Sequence, residues 1–115
     1  MSDDERQLLL TVAWMFVRHG QVRRARTILE CVVEETPSDG IAAAVLADLM
    51  LRDGEALSAL KALRAAMFPA PLQRAAAMLE TRALKMLGKA DEAEARWRRY
   101  ANAARGIRRE WVVGG

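Results

Sequence analysis

The chain has 115 residues, 52% of them hydrophobic and 29% charged, which gives one domain with a modest core and lies far from a disordered composition. Aromatics at 5% disfavour a β-rich fold, one cysteine excludes an internal disulfide and fits a reducing cytoplasm, and a net charge of +3 does not by itself point to nucleic acid. The longest apolar run, Leu8 to Val17, is interrupted by Thr11 and is too short to span a bilayer, and Asp3, Asp4 and Glu5 stand where a signal peptide would be basic. The expectation is a small, all-α cytoplasmic protein with no membrane insertion.

In chain order, the periodicity predicts helices over about 4–18, 22–35, 40–52, 55–67, 72–87 and 90–104. Ser2-x-x-Glu5 forms a capping box for the first, and Asp3 and Asp4 complement its positive end. Asp39 is the N-cap of the third, and Pro71 or Leu72 opens the fifth. Asp91, Glu92 and Glu94 load the start of the sixth with negative charge. Residues 106–115 read as a short tail that carries Arg108, Arg109, Trp111, Val112 and Val113.

Beneath these helices lies a repeat. Gly20, Gly54 and Gly88 recur every 34 residues, each followed five residues later by Ala25, Ala59 or Ala93. Leu29, Leu63 and Trp97 come next, then Val32, Ala66 and Tyr100, while Pro37 and Pro71 close the first two units. Upstream, Leu9, Val12, Ala13 and Phe16 correspond to Ala43, Leu46, Ala47 and Met50, and more loosely to Ala77, Glu80, Thr81 and Leu84. Each glycine ends the first helix of a unit (A) in a conformation that a Cβ disfavours, and each alanine lets the second helix (B) approach closely. The alanine reading predicts that Ala59 resists enlargement to leucine and that Ala56, off the repeat position, tolerates it.

A 34-residue helix-turn-helix period filled in this way resembles the tetratricopeptide repeat (TPR). The resemblance implies one domain over residues 1–105, with repeats at about 6–39, 40–73 and 74–105 stacked as six helices in a right-handed superhelix.

Catalytic chemistry has little to work with. His19 is the only histidine and precedes Gly20 at a helix end, an ordinary structural setting; no histidine metal site or triad can be built within the chain. Cys31, beside Val32 and Val33, reads as a small, partly buried core residue. None of the three serines lies in a nucleophile elbow, and no phosphate-loop pattern occurs. Arginines crowd the first turn (Arg18, Arg23, Arg24, Arg26) and the C-terminal region, but no stacking aromatics accompany them. They read as solvated helix faces or as partners for acidic groups. The expectation is no catalysis, no cofactor and no nucleic acid.

In TPR folds the A helices line a groove. Carried onto this sequence, the groove positions are Gln7, Leu10, Trp14, Val17 and Arg18, then Ile41, Ala44, Asp48, Leu51 and Arg52, then Ala75, Met78, Arg82, Lys85 and Met86. Leu10 and Trp14 occupy positions where a carboxylate clamp needs polar groups, so the resemblance implies instead an apolar groove with a cationic edge, suited to an apolar or amphipathic segment. Independently, the first helix is apolar around almost its whole circumference, and such a helix must be covered. Its B-facing side takes Leu9, Val12, Ala13 and Phe16, which leaves Leu8, Leu10, Trp14, Met15 and Val17 for the next unit, a partner or a second copy. At the other end Trp97, Tyr100 and Trp111 lack a covering helix.

Leu8-Leu9-Leu10, Trp14, His19-Gly20-Gln21, Arg24-Ala25-Arg26, Leu29-Glu30 and Pro37 resemble the opening of the YscY class, small TPR-type chaperones of bacterial type III secretion. The resemblance implies a cytoplasmic chaperone that binds a small YscX-like export substrate and contacts the export gate. A generic TPR scaffold, homo- or hetero-oligomeric, is the alternative from the same repeat.

Overall fold

The computed structural model describes the backbone of residues 1–113 and the side chains of residues 1–106. Among the described residues six helices follow one another: α1 (Asp3–Arg18), α2 (Val22–Glu35), α3 (Gly40–Arg52), α4 (Ala56–Ala65), α5 (Gln73–Met86) and α6 (Ala90–Val113), with one 3₁₀ turn at Ala70–Leu72. They form three antiparallel pairs, α1 with α2, α3 with α4 and α5 with α6. The pairs stack, so that α3 meets α2 and α5 meets α4 and α3. The array is all-α. Its radius of gyration, 15.6 Å, exceeds the roughly 13 Å of a compact chain of this length, as a stack requires.

The A-to-B turns repeat atom by atom. Gly20, Gly54 and Gly88 have φ of 75°, 78° and 75°. Each donates its N–H to the carbonyl three residues back, and the following residue donates to the carbonyl five back: Gly20 to Val17 at 3.2 Å with Gln21 to Phe16 at 2.8 Å, and likewise at the other two turns. This is a Schellman closure, which satisfies the orphan carbonyls of the helix end. A Cβ would meet nothing within 4 Å at any of the three, so glycine is required there by conformation, not by space.

Ser2 and Asp39 cap α1 and α3, although of the capping box only the Ser2 arm forms. The Ser2 hydroxyl accepts from the Glu5 N–H at 3.2 Å, and the Asp39 carboxylate accepts from the Ala42 N–H at 3.0 Å. Asp39 is buried and also receives Arg6 of α1 at 2.6 Å, so one side chain starts a helix and ties two units together. Ala25, Ala59 and Ala93 are fully buried where the helices of each unit approach. Two apolar clusters result. One joins Ala13, Ala25, Leu29 and Val32 to Ala42, Leu46 and Leu49, and the other joins Ala47, Leu51, Ala59, Leu60 and Leu63 to Ala83, Leu84 and Ala93. Helix α3 contributes to both and is the centre of the stack.

The structure departs from expectation at several places. Helix α4 ends at Ala65 instead of 67, because Met67 N–H donates to the Ser38 carbonyl at 3.0 Å and draws the chain into an extended bridge beside Asp39. Gly40 lies under that bridge, where a Cβ would come within 2.5 Å of the Met67 carbonyl oxygen. Ala56 is buried in the second cluster, whereas the sequence reading expects a position free to take leucine. Cys31 is exposed: Leu29 and Val32 set the buried stripe of α2, and position 31 falls outside it. The segment expected as a tail continues α6 as helix to Val113; Gly106 takes no left-handed turn, and the side chains of Arg108, Arg109 and Trp111 lie outside the described residues.

Candidate partner-binding surface

The A helices α1, α3 and α5 carry every residue expected to line the groove. Trp14, Ile41, Met78 and Met86 are 57%, 50%, 46% and 49% exposed, large apolar side chains held in water by short helices whose other faces are committed to the core. Leu10 and Val17 are half-buried, packed against the first cluster, so the next unit covers part of the apolar excess of α1. Ala44 and Ala75 are half-buried, and Gln7 and Lys85 are exposed.

Leu51 is not a groove residue. It is 4% exposed and belongs to the second cluster with Leu60 and Leu63. It lies in the last turn of α3, where the chain reverses into α4, and that position points toward the B helix. Val17, its equivalent one unit earlier, is half-buried for the same reason.

The cations are organised rather than free. The Arg18 guanidinium lies 4.8 Å from the centroid of the Trp14 ring, a cation–π contact that fixes the indole at the surface. Arg82 of α5 and Arg52 of α3 both reach Asp48, at 3.3 and 2.9 Å, so one carboxylate holds two of the four cations of the expected edge. Sequence reasoning placed Asp48 in the groove but missed this role. The signal was available, because Asp48 and Arg52 are four apart on one helix face and Arg82 is one repeat beyond Asp48.

Other arginines are used inside the array. Arg26 donates to Glu30 at 2.7 Å, to Asp53 at 3.0 Å and in a fork to Glu55, joining α2 to the turn of the next unit. These hydrogen bonds raise the Arg26 pKa above its ordinary value and hold the Glu55 carboxyl below the usual carboxylate range. Arg96 of α6 and Arg64 of α4 meet on Glu80 of α5, at 2.5 and 3.2 Å. That pairing explains why Glu80 stands where the first two units have Val12 and Leu46. His19 is the exposed C-cap of α1, and among the described residues no cluster of three or more His, Cys, Asp or Glu could hold a metal ion. Among the described residues no helix is long and apolar enough to cross a membrane.

No protein-family model matches the chain, and no curated protein is significantly similar to it in sequence.

Proposed function

We propose that this chain is a non-catalytic TPR-type chaperone that holds an apolar segment of a small protein against its A helices. Of the systems that use such chaperones, the residues from Leu8 to Pro37 favour type III secretion and the YscY class, with a YscX-like export substrate as partner in the cytoplasm. One observation carries the binding reading: Trp14, Ile41, Met78 and Met86 are large, apolar and about half exposed on successive A helices. A partner segment that buries these side chains gains the energy of several large apolar groups. The methionines suit a partner of irregular shape.

Co-expression with a secretion substrate encoded beside this chain tests the proposal. A stoichiometric, soluble complex is expected, and Trp14→Ala should weaken it by about 2 kcal/mol, roughly thirtyfold in Kd, while helical circular dichroism stays unchanged. Failure to form the complex, or unfolding by Trp14→Ala without a separable loss of binding, would overturn it.

A further inference from the structure

The two ends of the array are halves of its own internal junction. Ala42 and Leu49 of α3 are sealed against Leu29 and Val32 of α2, and one unit later Ala83 of α5 is sealed in one cluster with Leu63 of α4. Shifting the first set back by one 34-residue repeat gives Leu8 and Met15 of α1, which are 64% and 49% exposed. Shifting Leu29 and Val32 forward by two repeats gives Trp97 and Tyr100 of α6, whose rings pack 5.3 Å apart at the rim of an open groove of about 380 Å³. Among the described residues, no other helix covers either stacking face. Terminal units of a solenoid ordinarily carry a polar outer face, and here large apolar side chains stand among the charges at both ends.

We infer that the occupant of these faces is a second copy of this chain, stacked head to tail, with Leu8 and Met15 of one copy seated on the Trp97 face of another. The charges at the two ends agree with that occupant. Within the chain, Arg6 of α1 crosses the junction to Asp39, the N-cap of α3, at 2.6 Å. The same register, carried to the ends, sets Arg74 at the C-terminal face opposite Glu5 at the N-terminal face. Arg74 and Arg105 line the end groove, and Asp3, Asp4 and Glu5 fill the first turn of α1. The groove gives space for side chains larger than those of the inner junctions, where alanine stands in place of Leu8 at positions 42 and 76. Because the two faces differ, the contact is heterologous and does not close on itself at two chains. It uses the ends of the array and not the A-helix surface, so it stands or falls separately from the chaperone reading.

Sedimentation velocity on the purified chain across a concentration series tests this. The wild type should grow past two chains with concentration. Leu8→Arg, which blocks one face, and Ala101→Arg, which fills the end groove, should each remain single chains. Mixed in equal amounts they should form a species of two chains and no more, because each retains the face that the other lacks. Should Ala101→Arg fail to fold, Arg74→Glu and Glu5→Arg, at exposed positions, carry the same test: each alone should associate at least tenfold more weakly, and the mixture should regain the lost affinity. A wild type that stays a single chain throughout would overturn the inference. So would a wild type that stops at two chains while Ala101→Arg still pairs, the sign of a two-fold contact between N-terminal faces. A blocked pair that does not associate on mixing would overturn it as well.

Discussion

Glu80 offers the sharpest test of how the third unit is held. Its carboxylate receives Arg96 at 2.5 Å, with the two side chains 13% and 16% exposed, and also receives Arg64 at 3.2 Å, although Arg64 is largely in water. Breaking a fully buried ion pair by removing one partner costs about 3–5 kcal/mol, and an exposed pair is worth about 0–1 kcal/mol. This pair lies between those limits, so Glu80→Leu, which strands Arg96, should cost about 2 kcal/mol. Arg96→Ile should cost less, about 1 kcal/mol, because Arg64 still pairs with the remaining carboxylate. The double variant Glu80→Leu/Arg96→Ile places leucine where the second unit has Leu46 and isoleucine where the first has Ile28. It removes both charges together and should return to within about 0.5 kcal/mol of the wild type, or exceed it. At about 2.1 cal/mol/K per residue, the chain's unfolding entropy converts 2 kcal/mol into a fall in Tm of about 8 °C. Thermal unfolding of the four proteins by circular dichroism completes the double-mutant cycle. Strictly additive losses would show that the pair is not coupled and that Glu80 is placed by something other than Arg96.

Thr81 stands where the earlier units have Ala13 and Ala47, and its hydroxyl is buried without a partner among the described residues; Thr81→Ala should therefore raise stability by about 1 kcal/mol in urea unfolding, and a loss would mean that the hydroxyl is satisfied. Gly40→Ala drives a Cβ to within 2.5 Å of the Met67 carbonyl oxygen, so the bridge between Asp39 and Met67 must open, at a cost of about 2 kcal/mol or more by the same assay. Glu55 has its pKa depressed by the hydrogen bond from Arg26, and a depressed carboxyl stabilises the fold above its unfolded pKa and loses that contribution as pH falls through the folded one. Wild type should thus exceed Glu55→Gln in stability at neutral pH, with the gap closing as acidification protonates the Glu55 carboxyl; a constant gap would assign the contact to packing instead of charge.

What could be read from the sequence was whatever a local rule determines. The glycines at 20, 54 and 88 announced the left-handed turns, since almost nothing else sits there without strain, and the alanines five residues later announced the close approaches. Ser2 and Asp39 were legible as caps because capping chemistry spans only three residues. Legibility failed where burial depends on where the chain goes next. Leu51 occupies a groove position by register, but the last turn of α3 leans into α4 and takes it into the core. Ala56 looked free because it is off the repeat alanine, yet it lies at the start of a B helix pressed against the second cluster. Cys31 was judged by its neighbours Val32 and Val33, when the three-residue step from Leu29 to Val32 defines the buried stripe. The A-helix surface was legible as a set of exposed apolar residues, but the Asp48 clasp on Arg52 and Arg82 required two units to be placed side by side.

The distribution of side-chain size between core and surface bears on every binding argument above. Of the nineteen buried apolar residues among those described, eleven are alanine, and the remainder are leucine with a single valine. An alanine core lets helices approach closely, but each residue removes little apolar area from water, and apolar area is what stabilises at about 25 cal/mol per Å². Meanwhile Leu8, Trp14, Met15, Ile41, Met78 and Met86 stay substantially in solvent. The larger hydrophobic gain still open to this chain therefore lies on its surfaces, on the A helices and at the two ends, and not inside the isolated array. A fold built in this way is modestly stable alone and gains stability in proportion to how tightly those surfaces are occupied.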